Sequence, residues 1–69
     1  MYIILLTFAL LGEIEEKTLQ CPTMECVNYV RYYQHESPSL IRFRVWKKED
    51  YARLIGGFVW PPIIDDIRG

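Results

Sequence analysis

The residues best suited to chemistry lie on one short stretch, where two arginines and a tryptophan alternate with apolar residues. Arg42, Arg44 and Trp46 share one parity within residues 40–47, so an extended strand would place them on one face. Two guanidinium groups and an indole on one face can hold a nucleic-acid backbone and stack a base. The same side-chain types are enriched where protein interfaces concentrate their binding energy.

Three interpretations of this stretch stay open. A nucleic-acid site would also use the adjoining Lys47 and Lys48, and its binding would weaken steeply with salt. A protein interface would use Arg42, Arg44 and Trp46 together as its main contacts. In the third interpretation the arginines only pair with acidic residues of the same sheet. Candidates for that pairing are Glu15, Glu16, Asp65 and Asp66. The structural interpretation is favoured, followed by the protein interface and then by nucleic acid.

The two cysteines raise the question of catalysis or metal binding. A cysteine nucleophile needs a nearby base, and the chain has a single histidine, His35. Cys26 lies nine residues before His35, about two and a half helical turns, so one helix would put them on nearly opposite faces. Structural zinc needs four ligands, more than Cys21, Cys26 and His35 supply. We therefore predict no enzyme, no catalytic residue, no metal and no cofactor.

The cysteines and the first residues also bear on location. Cys21 and Cys26 could form at most one bridge across a short loop, so we expect reduced cysteines in a cytoplasmic protein. Residues 1–12 are uncharged and mostly apolar, but a membrane span needs about 20 apolar residues. They also lack the positive charge that begins a secretory signal. No membrane association is predicted.

Length and charge bound the class of protein. The chain has 69 residues, whereas domains commonly have about 100–150, so we predict a single small domain over residues 1–69. The net charge of −1 gives no overall basic field for nucleic acid. The charge is nevertheless uneven, because residues 1–30 carry −3, residues 31–53 carry +3 and the remaining tail carries −1.

The first two strands and the helix follow from apolar periodicity. Residues 2–11 are apolar on both faces, which predicts a central strand covered on both sides. A turn at Gly12 leads into a charged edge strand over residues 14–20. Pro22 and Thr23 begin a helix that ends before Pro38. Its predicted buried face contains Cys26, Tyr29, Val30 and Tyr33, widened by Met24 and Val27, whereas Tyr32 is expected at the surface.

The rest of the chain completes a small α+β fold. Residues 40–47 form a third strand beside the first, which gives the sheet order 2-1-3. Residues 48–56 fit a helical turn or a return strand, and the helical turn is favoured because Gly56 and Gly57 suit a helix end. Residues 58–69 contain two prolines and are expected as an extended aromatic arm. The prediction is a ββαβ domain with a three-stranded, mixed or mainly antiparallel sheet and one helix on one face.

One helix covers only one face of such a sheet. Five apolar side chains of the first strand would each forgo about 1.5–3 kcal/mol if they stayed in water. Either the C-terminal arm or a second polypeptide must cover them, and the short chain favours a homodimer. Trp60, Pro61 and Pro62 could dock on a partner, but packing on the same domain or within a homodimer is favoured.

These features predict a small non-catalytic protein-binding module, an accessory or regulatory protein that inhibits or modulates a partner protein. The predicted partner-binding residues are Arg42, Arg44, Trp46, Trp60 and Tyr32. In size and in its lack of catalytic motifs the chain is similar to the short accessory proteins of bacteriophages that bind and modulate host proteins. That resemblance covers no motif and assigns no residue. The alternative is a small nucleic-acid-binding protein that uses the strand over residues 42–48.

Overall fold

One four-stranded antiparallel sheet organises the chain, and the computed structural model describes residues 1–68. The elements are β1 (Tyr2–Leu10), β2 (Glu13–Cys21), α1 (Met24–His35), β3 (Leu40–Lys47), α2 (Lys48–Ile55) and β4 (Ile64–Ile67). The strand order is β2-β1-β3-β4, and every neighbouring pair is antiparallel. The predicted α+β architecture is confirmed. Within residues 1–68, neither helix is long and apolar enough to cross a membrane.

The central position of the first strand is confirmed. The predicted number of strands, three, is wrong, because the sheet has four. β1 pairs with β2 on one side and with β3 on the other, as the order 2-1-3 requires. Residues 64–67, predicted as part of an extended arm, form β4 along the outer side of β3. Pro61 and Pro62 precede this strand, so its own backbone N–H groups remain able to pair. The arm's last residue, Gly69, lies outside the described residues.

The main core lies between α1 and the even-numbered residues of β1. Ile4 and Leu6 lie opposite Val45 and Phe43 of β3, and all four are buried in one cluster with Val27 of α1. Each side chain of this kind stabilises the fold by about 1.5–3 kcal/mol when it leaves water. Apolar residues on this parity of β1 therefore hold α1 on one face of the sheet, which we call the front face.

The other face, the back face, is partly covered by the same chain. Ile3 of β1 lies opposite Trp46 of β3, and both are buried. α2 follows β3 directly, and the ring of its Tyr51 lies 5.7 Å from that of Trp46, centroid to centroid. α2 also resolves the ambiguity of residues 48–56 in favour of a helix. Of the two possible covers, the chain's own C-terminal part is the one found at this end of the sheet.

α1 lies where the sequence predicts it, but its buried face is rotated by about a quarter turn. Thr23 caps the helix, because its Oγ1 accepts a hydrogen bond from the Cys26 N–H at 3.2 Å. Val27 is the residue buried at the centre of the interface. The prediction that Tyr29 and Tyr33 belong to the core is wrong, because both rings are exposed. Val27 and the half-buried Met24 and Val30 pack in the core instead.

A disulfide joins Cys21 and Cys26, which corrects the expectation of two reduced cysteines. Cys21 is the last residue of β2, and Cys26 lies near the start of α1. Their Cα atoms are 5.6 Å apart, a usual separation for a disulfide. Pro22 and Thr23 turn the chain between the two elements. The bond therefore fixes the start of α1 to the end of an edge strand.

Candidate functional site

The predicted basic and aromatic residues of β3 share one face, as their alternation requires. Arg42, Arg44 and Trp46 lie opposite odd-numbered residues of β1, on the back face of the sheet. β4 adds Asp65 directly beside Arg44 in the strand register. The back face therefore brings together the cations of β3 and an acidic residue that the sequence places more than twenty positions away.

Trp46 is an internal residue. Its side chain is 3% exposed, and its Nε1–H donates a hydrogen bond of 2.8 Å to the carbonyl oxygen of Trp60. Buried indole groups commonly find such an acceptor. Trp46 therefore attaches the segment between α2 and β4 to the back face, and its ring is not available at the surface.

Arg42 forms a bidentate ion pair with Asp65. Its Nε and Nη2 groups each donate to one carboxylate oxygen at 3.0 Å. The hydrogen bond from Arg42 lowers the pKa of the Asp65 carboxyl, and the nearby charges of Arg42 and Arg44 add to that effect. The same hydrogen bond raises the pKa of Arg42. Both groups are held in one geometry, so Arg42 has its carboxylate partner within the chain.

We expect the free energy of unfolding of Asp65→Asn to depend less on pH below about pH 4 than that of the wild type. The pKa of Asp65 in the folded protein lies below its unfolded value of about 3.9. The ionised carboxyl therefore stabilises the fold above that value, and this contribution is lost as the pH falls through the folded-state pKa. Urea unfolding between pH 7 and pH 2 should show a smaller loss of stability below about pH 4 for Asp65→Asn than for the wild type.

The matched control for this experiment is Glu49→Gln, because the Glu49 carboxylate makes no ion pair within residues 1–68. Its acid profile should follow the wild type. Parallel profiles for Asp65→Asn and the wild type would show that the Arg42–Asp65 pair adds nothing to acid stability.

Arg44 is half-buried and is held mainly by packing. Its Nη2 donates to Thr7 Oγ1 at 3.4 Å, and its guanidinium carbon lies 5.6 Å from the Trp46 ring centroid. Arg44 therefore covers Trp46 with a cation–π contact, and its buried Nε–H has no acceptor in the described chain.

Trp60 completes the group on the back face. Its half-buried ring lies 4.8 Å from the guanidinium carbon of Arg53 in α2, measured to the ring centroid. Four of the five predicted partner-binding residues thus lie on one face, joined by contacts among themselves and with Arg53 and Asp65. The fifth, Tyr32, lies on α1 across the sheet. Their role in binding a partner stays a prediction.

α1 presents a second aromatic group that is not engaged in this way. Tyr29, Tyr32 and Tyr33 are 67%, 75% and 69% exposed. Tyr29 and Tyr33 stack with ring centroids 6.0 Å apart. Together with Glu25 and Glu36 we call these residues the tyrosine stripe. Glu25, Tyr29, Tyr32 and Glu36 follow the spacing i, i+4, i+7 and i+11, which places them along one line of a helix.

The carboxylates around the tyrosine stripe have no ion-pair partner among residues 1–68. Ion pairs in that part of the chain join Arg31 to Asp66, Arg42 to Asp65 and Arg53 to Asp50. Within residues 1–68, every aspartate is therefore paired and no glutamate is. Besides the two glutamates of the stripe, the unpaired set includes Glu13 and Glu15 of β2, which share the front face with α1, and Glu16 of β2, which is on the back face. The side of the molecule formed by β2 and α1 thus presents aromatic rings among negative charges.

A cleft of about 370 Å³ lies between the end of α1 and strands β3 and β4. Its charged groups are already bonded to the chain. Arg31 donates to both carboxylate oxygens of Asp66, at 2.6 and 3.0 Å, and Arg68 Nη1 donates to the Ser37 carbonyl at 2.9 Å. Within residues 1–68 no three His, Cys, Asp or Glu side chains lie together as a metal ion would require. The cleft is therefore large enough for a small molecule, but few of its polar groups are free to bind one.

No protein-family model, curated protein or solved structure matches the chain. Its function must therefore be inferred from its own residues and their arrangement.

The exposed rings of Tyr29 and Tyr33 are the candidate residues that sequence reasoning missed. Helical periodicity predicts a core position for Tyr29 and Tyr33 because they share a helical face with Cys26. One signal pointed the other way, since Glu25 and Glu36 lie on the same helical line as Tyr29. A helix line that begins and ends with carboxylates is typical of a solvent-facing surface.

Proposed function

We propose that the protein is a small non-catalytic module that binds a partner protein through the tyrosine stripe of α1. The observation that carries this proposal is the exposure of three neighbouring rings that the chain's own core does not use. Contiguous exposed patches of this kind mark interaction sites, and tyrosine is enriched in protein interfaces. A helix holds its side chains on a rigid backbone, so little backbone entropy is lost on binding.

The non-catalytic part of the proposal is supported by the state of the cysteines. Both are joined in a disulfide, so neither offers the thiolate that a cysteine nucleophile needs. We propose that the protein acts as an accessory or regulatory protein by occupying a partner's surface, in the general manner of short bacteriophage proteins that modulate host proteins. Inhibition of that partner is the simplest consequence of such binding.

The tyrosine stripe makes a direct prediction for partner capture. A double variant, Tyr29→Ala with Tyr32→Ala, should lose at least about tenfold in affinity for a partner retained by the wild type, because truncating interface hot spots costs about 2 kcal/mol or more. The measurement is affinity capture from a lysate of the native cells, followed by titration of the partner. The double variant should remain folded, since surface substitutions usually change stability by less than about 0.5 kcal/mol.

Two controls make this experiment specific. The variant Tyr29→Phe with Tyr32→Phe keeps both rings and should retain most of the affinity. Ile67→Ala removes an exposed apolar side chain from β4 and should bind as the wild type does. If the alanine double variant binds normally, or if Ile67→Ala is equally impaired, the tyrosine stripe is not the binding surface.

We also propose a homodimer, which rests on a different surface. The end of α2 and the segment that follows it expose three apolar side chains, Ile55, Phe58 and Val59, and a second copy could cover them. Light scattering on the purified protein at micromolar concentration should therefore give the mass of two chains. Phe58→Ser should shift that mass toward one chain. A single-chain mass for the wild type would contradict the dimer.

The alternative of nucleic-acid binding by residues 42–48 receives less support from side-chain contacts. Arg42 is paired with Asp65, and the Trp46 ring is buried. Lys47 and Lys48 are the exposed cations of this stretch that have no ion-pair partner in the described chain. Stacking a base on Trp46 would first require the arm that carries Trp60 to leave the back face.

A cytoplasmic location stays a prediction, and it now depends on the state of the cysteines. Disulfides persist in oxidising compartments and are rare in the cytosol. Alkylating thiols as native cells are broken, followed by mass measurement, distinguishes the two states. A reduced pair would agree with the cytoplasm, and an oxidised pair would favour an oxidising compartment.

A further inference from the structure

The turn between β1 and β2 holds a leucine in a backbone conformation that leucine rarely adopts. Leu10 pairs with Glu13, so Leu11 and Gly12 form a two-residue hairpin loop. Both have positive φ, 51° for Leu11 and 82° for Gly12, as a type I′ turn requires. Glycine fits this conformation, and asparagine is the residue usually found at the first position. Leu11 therefore costs stability in comparison with asparagine.

The fold gains no packing from this leucine. Leu11 is fully exposed, and Leu10 and Ile14 beside it are 44% and 62% exposed. The pairing of β1 with β3 ends at Phe8. The three residues therefore lie on the end of the β1–β2 hairpin, which extends past the start of β3. We call Leu10, Leu11 and Ile14 the hairpin tip. An apolar tip in a disfavoured conformation suggests a role outside the chain's own fold.

The hairpin tip lies at the same end of the molecule as the last turn of α1. The N–H of Ala9, just before the tip, donates to the Ser39 carbonyl at 2.8 Å. Ser39 belongs to the short connection that follows α1, and the carbonyl of Ser37 in that connection accepts a hydrogen bond from the N–H of Leu40, the first residue of β3. The exposed rings of Tyr32 and Tyr33 stand near that end of α1. One partner could therefore contact both the tip and the helix.

Charge selects the kind of partner. Glu13 lies within the hairpin tip, just before Ile14, and Glu15 and Glu16 follow it; none of the three has an ion-pair partner within residues 1–68. Glu36 is the C-cap of α1, at the end of the helix that lies near the hairpin tip. An anionic membrane surface would repel these carboxylates, whereas lysines and arginines would attract them. The complement of the tip is an apolar pocket with a basic rim.

We propose that the hairpin tip inserts into an apolar pocket on the partner protein, and that lysine or arginine residues around this pocket contact the glutamates of β2. This proposal rests on the proposed function, because it describes the partner that the tyrosine stripe binds. It goes beyond that function by assigning a second contact, on a different element, and the chemistry of the surface that receives it.

The first test places a photo-reactive benzoylphenylalanine at position 11, with the same group at position 67 as the control, because Ile67 is also exposed and lies outside both proposed binding surfaces. After irradiation in a native-cell lysate, position 11 should cross-link to a partner peptide that is mainly apolar and is flanked by lysine or arginine. Position 67 should not label that peptide. Equal labelling from both positions, or labelling of another copy of this chain by position 11, overturns the proposal.

The second test uses Leu11→Asn, which supplies the residue that the turn prefers. Its melting temperature should equal or exceed that of the wild type, while its affinity for the captured partner should fall at least tenfold. Unchanged affinity overturns the insertion of the tip. Sedimentation with phosphatidylcholine vesicles, with and without phosphatidylserine, should leave the wild type in the supernatant. Leucine-dependent binding to either vesicle would assign the tip to a lipid surface and overturn the proposal.

These outcomes separate the tip from the tyrosine stripe. A partner that is captured by the wild type, is lost by the tyrosine double variant and is unaffected by Leu11→Asn leaves the proposed function standing and removes the insertion. If the wild type captures no partner at all, the proposed function fails and the inserted tip fails with it.

Discussion

Replacing Trp46 with alanine should lower the free energy of unfolding by about 3–5 kcal/mol, the usual cost of truncating a buried tryptophan. The ring is 3% exposed and packs beneath Tyr51, Arg44 and the arm that carries Trp60. Stabilities near 0.05–0.15 kcal/mol per residue correspond to about 3–10 kcal/mol for a chain of this length. Trp46→Ala should therefore leave a large unfolded population at room temperature, visible in urea unfolding followed by circular dichroism.

Two further variants separate packing from the hydrogen bond. Trp46→Phe keeps most of the ring but removes the donor to the Trp60 carbonyl, so its loss should be smaller than that of Trp46→Ala. Tyr32→Ala removes a ring of similar size from the surface and should change stability by less than about 0.5 kcal/mol. Equal stabilities for Trp46→Ala and Tyr32→Ala would mean that the arm does not close the back face.

The sheet order was predictable because two independent features demanded it. Residues 2–11 are apolar on both parities, and such a strand has to be covered on both faces and therefore lies at the centre. The hairpin places β2 on one side of it, and the crossover through α1 leaves the other side for β3. The alternation of residues 40–47 fixed which side chains of β3 face the helix.

The fourth strand was not predicted, because two prolines lie just before it in the sequence. Pro61 and Pro62 exclude a central strand, and they predict an extended arm for all of residues 58–69. β4 begins only at Ile64, beyond both prolines, and it is an edge strand of four residues. Its contacts are distant in sequence, namely its pairing with β3 and the ion pairs of Asp65 with Arg42 and of Asp66 with Arg31, and local patterns do not contain them.

The buried face of α1 shows how a local pattern can be satisfied in two ways. Apolar residues of this helix span more than half of its circumference, so periodicity allowed a stripe centred on the tyrosines or one centred on Val27. Tertiary contacts decide between them, because the disulfide holds Cys26 at the β2 side while Arg31 pairs with Asp66 of β4. The candidate binding surface is therefore visible only once the helix is placed on the sheet.

Reducing the Cys21–Cys26 disulfide should lower the free energy of unfolding by about 2 kcal/mol, the loop-closure entropy expected for a ring of six residues. The bond confines the unfolded chain where β2 passes into α1, and without it more conformations of that chain compete with the fold. Urea unfolding of the oxidised protein and of the protein kept in excess thiol measures the difference. The midpoint should fall while the slope changes little, because the same surface is exposed on unfolding.

A variant without the disulfide distinguishes the cross-link from a general effect of thiols. Cys21→Ala with Cys26→Ala should be no more stable than the reduced protein and should not respond to reductant. Thr23→Ala, which removes the cap of α1 but keeps the disulfide, should lose about 1 kcal/mol and still respond to reductant. Identical midpoints with and without thiol in the wild type would show that β2 and the start of α1 are held by packing alone. In that case the tyrosine stripe would not depend on the bond for its position.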